Sequence, residues 1–596
     1  MLKNMKNIKA SSLVIAIASI LMMACFGYTS LYSQITINPG YEEEFFLQTD
    51  RDIYFTGEEV LVKVSKFNRL SGTLGDFSKV GYVDMYNKFG NPIAQVKVDL
   101  ESFSGASRFR IPDTIGSGNY YVRAYSSWMR NFPRESFAYR TITVINPFEN
   151  IDALLVKPSD FVGDSLALDS QPRIDTGIAA NQGNNTTTSS GKTIRIMDEN
   201  PGTRDRVEIR IEGVDADDPG FSIAVVKSVL LDDNGYSEKD PYDAGSFVFN
   251  LAEAKYMPEL DGNVISGTIR DNTTNEPLAN TNVMLSFIGK NARCQFSRSD
   301  ADGRFNFFIG EKGVLNVVIS PVSESITDYY VELTDPFELS VPENLYSPVY
   351  IDTAKLEELN EAIIGMQIRN IYDPYLGPDS VAPEQYVVNN FYGEPDNTVY
   401  LSDYIELTTL REVVKEIVPG VWTQRRNKQL SLKLLNKYPT GAFYKSPMVL
   451  FDGVPVRDID EVLHVRASEI ERIDIFNTRY FVSDIIMEGI VHFISKKGDM
   501  SMMEYDKSIF RQLYNSVDNS KLYYPEYSTA ELKAGRIPDY RNTLYWDPFI
   551  TANGSGEAVV DFYTADEEGD YTVIVEGFSK DGLYFRDTAG FKVTRR

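Results

Sequence analysis

Short runs in which apolar and polar residues alternate recur along this chain and constrain its fold more than any other feature. Val60, Val62 and Val64 form one such run, and Phe221, Ile223 and Val225 end another region of the same kind. Because successive side chains of a strand point to opposite faces, a period of two predicts strands that are buried on one face. Aromatic residues, which pack well on half-buried sheets, make up 12% of the chain. The 596 residues therefore predict several β-rich domains.

The charge balance narrows the classes of partner. The chain contains 85 acidic and 59 basic residues, which gives a formal net charge of −26. A surplus of carboxylates repels phosphate backbones, so the composition argues against nucleic acid as a partner. Solvated domains of bacterial envelopes commonly have such a charge balance, so it does not distinguish one kind of envelope protein from another.

The first residues have the layout of a secretory signal. Three basic residues precede an apolar run from Ser11 to Tyr28, namely Lys3, Lys6 and Lys9. This pattern predicts a signal peptide over residues 1–33, and hence export to the periplasm, outer membrane or cell surface of a Gram-negative bacterium. Two alternatives remain: a lipid on Cys25, which follows Ala24 as in a lipobox, and an uncleaved membrane anchor.

Two segments near the start resemble a known module. The stretch from Thr49 to Glu58 reads TDRDIYFTGE and resembles the opening of the second macroglobulin (MG2) domain, usually written TDR-x-x-Y-x-x-G-E. The stretch from Gly118 to Asn131 resembles the matching late strand in Bacteroidetes members of that family. The resemblance implies an MG2-like β-sandwich over 40–148. A second immunoglobulin-like sandwich is predicted over 149–255, with a disordered loop at 176–192 that is too polar to pack.

The middle of the chain resembles the regulatory-like domain of carboxypeptidases, a small transthyretin-like sandwich. The residues that carry this resemblance lie in three stretches, Ile265–Asp271, Pro277–Val283 and Asp300–Phe305. The resemblance implies such a domain over 256–336 without the zinc ligands of a peptidase. A linker over 337–399 follows, and apolar residues at helical spacing predict one helix from Thr353 to Asn370.

Three further stretches resemble the plug domain of TonB-dependent receptors of the Bacteroidetes type. They are Pro447–Val456, Glu469–Ile475 and Gly489–Gly498, and they imply a plug-like α+β domain over 400–500. The plug motif itself consists of Asp452, Gly453, Val454, Pro455 and Val456. Only 98 residues follow Gly498. A receptor barrel of about 22 strands needs more than about 200 residues, so we expect an orphan plug-like unit and no transporter.

A connector over 501–538 and a C-terminal immunoglobulin- or macroglobulin-like sandwich over 539–596 complete the prediction. The order of modules resembles a Bacteroidetes family of envelope proteins that combine an MG2-like domain, a carboxypeptidase regulatory-like domain and an orphan plug-like domain. The predicted fold class is therefore mainly β: a multidomain chain of immunoglobulin- and transthyretin-like β-sandwiches with one small α+β plug-like domain.

The residues offer little for catalysis. The two histidines, His464 and His492, lack local partners, and no His-Glu-x-x-His or Gly-x-Ser-x-Gly motif occurs. Cys294 is expected to be a small core side chain. We therefore predict no enzyme and no cofactor. Calcium is a weak candidate on one acidic turn, whose ligands would be Asp215, Asp217 and Asp218.

These features favour a non-catalytic, exported envelope protein that docks a partner protein at the outer membrane through its sandwich and plug-like modules. An exposed strand edge could provide the contact. The candidate docking strand comprises Gly489, Ile490, Val491, His492, Phe493, Ile494, Ser495 and Lys496. The alternative is a surface adhesin or a glycan- or peptide-binding protein that uses Trp128 or Trp546, although both tryptophans lie in strand-like contexts typical of a core. A hydrolase without a recognisable motif is the third hypothesis.

Overall fold

The computed structural model describes most of the chain after the N-terminal segment. The described residues are 43–68, 73–75, 77–100, 102–150, 155–156, 192–231, 254–323, 325–340, 351–372, 389–404, 407–426, 429–437, 441–503, 509–517, 522, 524–580 and 582–595. The predicted signal peptide, the lipid on Cys25 and nearly all of the predicted loop at 176–192 lie outside these residues. No helix of the described part is long and apolar enough to cross a membrane.

Short strands make up about half of the described chain. The strands of the first part are β1 (Glu43–Thr49), β2 (Ile53–Phe55), β3 (Glu59–Asn68), β4 (Thr73–Leu74), β5 (Val80–Tyr86), β6 (Pro92–Asp99), β7 (Ser104–Arg110), β8 (Gly118–Tyr125), β9 (Ala138–Ile145), β10 (Leu155–Val156), β11 (Thr193–Ile196), β12 (Arg206–Glu212), β13 (Phe221–Lys227), β14 (Asn263–Asp271), β15 (Asn282–Phe287), β16 (Arg293–Arg298), β17 (Arg304–Ile309), β18 (Val314–Pro321), β19 (Tyr329–Leu333) and β20 (Ile351–Asp352).

The second part adds β21 (Asn397–Tyr400), β22 (Val421–Arg426), β23 (Gln429–Asn436), β24 (Gly441–Ala442), β25 (Met448–Phe451), β26 (Val454–Pro455), β27 (Ile470–Val482), β28 (Ile485–Ser495), β29 (Phe510–Asn515), β30 (Thr543–Ile550), β31 (Glu557–Tyr563), β32 (Gly569–Phe578) and β33 (Tyr584–Val593). The α-helices are α1 (Leu356–Tyr372), α2 (Leu410–Glu416), α3 (Ile459–His464) and α4 (Ala530–Lys533). The predicted fold class, mainly β with several sandwiches and few helices, is confirmed.

Sandwich A consists of β1 to β9. One sheet has the order β1-β3-β4 with β7 also paired to β3, and the other has the order β2-β9-β8-β5-β6. The alternating valines Val60, Val62 and Val64 are fully buried between the sheets, together with Val122 and Val144. The period-two pattern therefore identified the face that lines the core of this sandwich. The opposite face of β3 is buried as well, at Leu61, Lys63 and Ser65, which a pattern of alternation does not predict.

Sandwich B is built from two segments that lie far apart in the sequence. In one sheet β12 pairs with β31, and in the other β13 lies between β30 and β32. The prediction of two separate sandwiches at 149–255 and 539–596 is therefore wrong. The physical reason is that β12 and β13 alone leave their apolar faces and edges uncovered, and strands from the end of the chain cover both.

Sandwich C has the same divided construction. Its sheets have the orders β17-β14-β19 and β16-β15-β18-β29. The last strand, β29, lies in the region predicted as a connector over 501–538, and its Tyr514 is buried in the core of this sandwich. Part of the predicted connector is thus a structural strand.

Module D occupies the region of the predicted plug-like domain. Its main sheet has the order β21-β27-β28-β25-β26, and a second sheet has the order β22-β23-β24. Helices α2 and α3 pack on these strands through Leu410, Val413 and Leu463. Module D is inserted into sandwich C, and sandwich C is inserted into sandwich B. The modules are therefore nested rather than arranged in a row.

Helix α1 confirms the helix predicted from Thr353 to Asn370. Its buried face contains Leu359, Ala362 and Met366, as expected from the helical spacing of apolar residues. This face packs against residues of sandwiches A and B, including Phe55 and Leu230. The helix therefore lies at the border between the two sandwiches.

The TDR-to-GE segment forms a buried ionic cluster at that border. The Arg51 guanidinium pairs with the Glu58 carboxylate at 2.7 Å, and Arg51 also donates a hydrogen bond to Thr543 Oγ1 at 2.9 Å. The Thr543 hydroxyl donates to Asp50 Oδ2 at 2.6 Å, while Asn542 Nδ2 donates to Glu58 Oε1 at 2.7 Å. Since Asn542 and Thr543 begin strand β30, the cluster joins sandwich A to the C-terminal half of sandwich B.

Removal of the Arg51 charge should destabilise this border strongly. In Arg51→Met, the buried carboxylates of Asp50 and Glu58 lose their cation, which should lower the free energy of unfolding by about 3–5 kcal/mol. The matched control is Arg108→Met, because Arg108 pairs with Glu59 at 3.3 Å where both side chains are partly exposed. Its loss should cost at most about 1 kcal/mol. Urea unfolding of the two variants measures the difference, and equal losses would contradict a dominant role for the cluster.

Candidate functional site

The plug-motif residues form a tight turn between β25 and β26. Asp452 and Gly453 adopt positive φ angles of 44° and 82°. The buried Asp452 carboxylate accepts hydrogen bonds from Ser495 N, Ser495 Oγ and Met500 N at 2.7, 2.7 and 2.9 Å. Burial raises the pKa of this carboxyl group, although the three hydrogen bonds oppose the rise. Asp452 therefore fixes the end of β28 to the turn.

His492 supports the same turn from within the sheet. Its Nε2 atom accepts a hydrogen bond from the Gly453 N–H at 2.9 Å, so the ring proton lies on Nδ1, which faces the Tyr392 hydroxyl at 3.0 Å. Burial, assisted by the nearby Arg472 charge, lowers the pKa of His492 to about 3. His492 therefore has structural contacts on both ring nitrogens, whereas His464 is exposed at the end of α3.

The turn also forms the seam between module D and sandwich C. The Asp452 carbonyl accepts a hydrogen bond from the Gly289 N–H at 3.0 Å. A Cβ atom on Gly453 would lie 2.7 Å from the Phe287 carbonyl oxygen, so only glycine permits this approach. Beyond the turn, Val454 is buried and Arg457 donates to the Ile326 carbonyl at 2.6 Å. The plug motif therefore fastens two modules together and offers little free surface.

The predicted docking strand is not an edge. Strand β28 pairs with β25 on one side, in parallel, and with β27 on the other. The side chains from Gly489 to Ser495 are buried, and only Lys496, beyond the strand, is exposed. The prediction of an exposed edge is wrong because the run from Ile490 to Ile494 is apolar on both faces, which is typical of a central strand.

Module D instead exposes a different set of residues, which we call the aromatic surface. It is defined by five large side chains with exposed fractions of 39–90%: Trp422 39%, Leu435 40%, Ile486 53%, Phe481 63% and Tyr444 90%. None of them was identified from the sequence. A signal was available, since in β23 the alternation leaves Lys433 and Leu435 on the face opposite to the buried Leu432 and Leu434.

Register and hydrogen bonds connect these residues. Trp422 lies opposite Lys433 across β22 and β23, and Lys433 Nζ donates to the Tyr444 carbonyl at 3.0 Å. The next residue, Lys445, donates its N–H to Glu488 Oε2 at 2.5 Å, and Glu488 pairs with Arg479 at 3.4 Å.

The far end of the surface lies at the tip of the hairpin formed by β27 and β28. Arg479 and Glu488 are adjacent on one face to Phe481 and Ile486, which are themselves cross-strand partners. These contacts therefore link the exposed residues of the two sheets of module D.

A close packing contact holds the two sheets of module D together. Gly489 of β28 has a φ angle of 81°, and a Cβ atom there would lie 2.3 Å from Leu434 Cδ2 and 3.2 Å from Phe443 Cε2. The absence of a side chain at Gly489 lets β23 and the strand before Tyr444 lie directly on β28. The aromatic surface is thus presented on a packed framework.

Other residues considered from the sequence have structural surroundings. Trp128 and Trp546 are buried, so they cannot present their rings to a glycan. Cys294 Sγ lies 3.6 Å from Ser286 Oγ, and burial raises the pKa of its thiol to about 12. Such a thiol stays protonated at neutral pH and is a poor nucleophile.

The acidic turn predicted as a calcium site is paired with a lysine side chain. Lys580 Nζ pairs with Asp215 at 2.6 Å, and the Lys580 N–H donates to Asp218 Oδ1 at 2.8 Å. The hydrogen bond from Lys580 lowers the pKa of Asp215. Across the described residues, no group of three or more His, Cys, Asp or Glu side chains is placed to hold a metal ion.

The similarities of this chain to known proteins lie among solved structures. No family model and no curated protein sequence matches the chain. Among solved structures, it is similar to Salmonella α2-macroglobulin reacted with methylamine, with 10% identity, a TM-score of 0.23 and coverage of 94% of this chain and 40% of that one. It is also similar to Escherichia coli α2-macroglobulin activated by porcine elastase, with 10% identity, a TM-score of 0.24 and coverage of 93% of this chain and 44% of that one. The similarity to the E. coli adhesin FdeC has 9% identity, a TM-score of 0.13 and coverage of 48% of this chain and 62% of that one.

The chain thus spans less than half the length of the macroglobulins it matches. TM-scores this low do not describe a shared overall arrangement. The arrangement of sandwiches A, B and C and of module D is defined by the pairing of their own strands.

The burial of His492 predicts a specific pH dependence of stability. Its pKa is about 3 in the folded chain and about 6.5 when unfolded, so below pH 6.5 the unfolded chain binds a proton that the folded chain excludes. Stability therefore falls as the pH drops from 6.5 towards 3. Between pH 7 and pH 5 the loss due to this group should be about 2 kcal/mol.

Two single substitutions isolate this contribution. In His492→Gln, the difference in unfolding free energy between pH 7 and pH 5 should shrink by about 2 kcal/mol. His464→Gln serves as the control, because it removes an exposed imidazole and leaves the contacts of His492 in place. Peptide-resolved hydrogen exchange of β28 in urea, corrected for intrinsic exchange rates, provides the measurement. An identical pH dependence in both variants would show that His492 is not held neutral.

Proposed function

We propose that this chain is a non-catalytic binding protein of a bacterial cell envelope that docks a partner protein through the aromatic surface of module D. The observation that carries the proposal is the exposure of five large apolar side chains on one module, with Tyr444 exposed by 90%. Contiguous exposed apolar groups are costly to leave in water and are common at protein-binding sites. Tryptophan and tyrosine are, in addition, frequent hot-spot residues of interfaces.

The attachment of module D supports this role. Its Asp452 turn and Arg457 contact sandwich C, which leaves the Trp422 and Tyr444 hairpin on a different part of the module. The close packing at Gly489 keeps the exposed rings in place before a partner arrives. A preorganised surface loses less conformational entropy on binding, which favours affinity.

The cellular setting of the proposal derives from the sequence. The basic and apolar layout of residues 1–33 favours export, and the resemblance to Bacteroidetes envelope proteins favours the periplasm or the outer membrane. Association with the membrane would then occur through the partner or through a lipid on Cys25. The net charge of −26 disfavours nucleic acid as the partner.

The alternative role as an adhesin or glycan-binding protein depended on Trp128 or Trp546, and both side chains are buried. A sugar-stacking site requires an exposed ring. Trp128 is buried in a small cluster with Phe132 and Phe77, and Trp546 is buried at the border between sandwiches A and B. The exposed Trp422 belongs to the aromatic surface. Docking of a protein therefore remains the better supported function.

Photo-crosslinking in intact cells tests the proposal. With p-benzoylphenylalanine at Tyr444 in the full chain, we expect one discrete crosslinked protein, because an interface holds one partner against the probe. The yield should fall at least fivefold when Trp422→Ser is added. The matched control carries the probe at Phe308, which is exposed by 54% on sandwich C. Equal crosslinking patterns from both positions would contradict a docking surface on module D.

A further inference from the structure

The hairpin that carries Trp422 differs in charge from the rest of the chain. Residues 421–445 contain six basic residues and no acidic residue, in a chain with 85 acidic residues. Residues 400–500 as a whole are balanced, with 14 basic and 14 acidic residues. The positive charge is therefore concentrated on this hairpin. Potentials of this kind attract ligands of opposite charge and speed their association.

Few carboxylates neutralise the hairpin within the described residues. Arg425 lies 3.6 Å from Asp460, but Asp460 pairs more closely with Arg411. Lys437 pairs with Asp396 at the far end of β23. Lys433 donates to a carbonyl oxygen, and neither Lys433 nor Lys445 forms an ion pair with a described carboxylate. The ammonium groups of Lys433 and Lys445 therefore lie near Trp422 and Tyr444 without an ion-pair partner among the described carboxylates.

The side chains of β22 are also accessible. In its sheet β22 is an outer strand, and among the described strands only β23 pairs with it. Side chains on both faces of β22, from Trp422 to Arg425, are exposed. Because Trp422 lies opposite Lys433, a segment that crosses this face of the sheet can contact both residues.

We infer that the partner contributes an acidic segment that lies across the exposed face of β22 and β23. Its carboxylates face Lys433 and Lys445, and its apolar side chains contact Trp422 and Tyr444. This inference rests on the proposed docking function and names the chemistry of the docked element. Contacts with the exposed rings supply affinity, whereas the charges restrict the choice of partner and raise the association rate.

The test uses the full chain and a fluorescein-labelled twelve-residue peptide of alternating glutamate and valine. Fluorescence anisotropy should show binding that weakens as salt is raised from 50 to 300 mM. The double variant Lys433→Glu, Lys445→Glu should weaken binding at least tenfold. The control Lys415→Glu alters an exposed lysine of α2 in the same module and should change affinity less than twofold. Lys445→Glu alone, at an exposed site, guards against misfolding of the double variant.

Tryptophan fluorescence gives an independent readout. Of the three tryptophans only Trp422 is exposed, so iodide quenching reports on it selectively. Bound peptide should reduce that quenching, whereas a peptide of alternating lysine and valine should leave it unchanged.

Three results would overturn the inference. The first is no peptide binding, or binding unaffected by the double variant. The second is stronger binding to phosphatidylglycerol vesicles than to the peptide, abolished by the same variant, which would assign the hairpin to a membrane surface. The third is self-association in gel filtration that the variant abolishes, which would assign it to a second copy. If crosslinking at Tyr444 persists in any of these cases, the proposed docking function stands while the acidic segment is rejected.

Discussion

Strand β13 depends on neighbours that arrive only at the end of the chain. It lies between β30 and β32, so sandwich B cannot close before residues 543–578 fold against it. Everything between β13 and β30 must therefore leave and re-enter the sandwich at nearby points, as inserted domains generally do. Sandwich C repeats the arrangement with β18 and β29 on either side of module D.

Buried charges hold sandwich A against the nested part. Arg51, Asp50 and Glu58 contact the start of β30, and Lys97 donates to the Tyr514 hydroxyl of β29 at 2.6 Å. Burial lowers the pKa of Lys97 to about 8 and raises the pKa of Glu259, in the same cluster, to about 7. Groups that are so poorly hydrated retain their charges only when their partners stay in place. Both borders therefore favour one fixed arrangement of the sandwiches.

The sequence predicted the local structure well and the assembly poorly. Alternation at Val60, Val62 and Val64 identified strands and their buried faces, and helical spacing located α1. Neither pattern identifies the neighbouring strand, because a strand's period specifies a face and leaves its pairing partner open. For this reason β12 and β13 were assigned to a separate sandwich, and β29 to a connector.

The site shows the same limit. Apart from His492, the residues from Ile490 to Ile494 are apolar on both faces, which is typical of a central strand, whereas the predicted docking role requires an exposed edge. The aromatic surface depends on the packing of Leu434 against Gly489, which brings distant hairpins together and has no local pattern. One signal was readable, namely 25 consecutive residues without a carboxylate in a strongly acidic chain.

Cleavage just ahead of module D tests the nested architecture most directly. A specific protease site inserted after residue 380 would divide the chain into a fragment with sandwich A and the first strands of B and C, and a fragment with module D and the closing strands. Gel filtration of the cut protein without denaturant should show one particle that contains both fragments, because β12–β31, β13–β30, β13–β32 and β18–β29 pairing connects them. Two separately eluting, folded fragments would contradict the account and restore a row of independent modules.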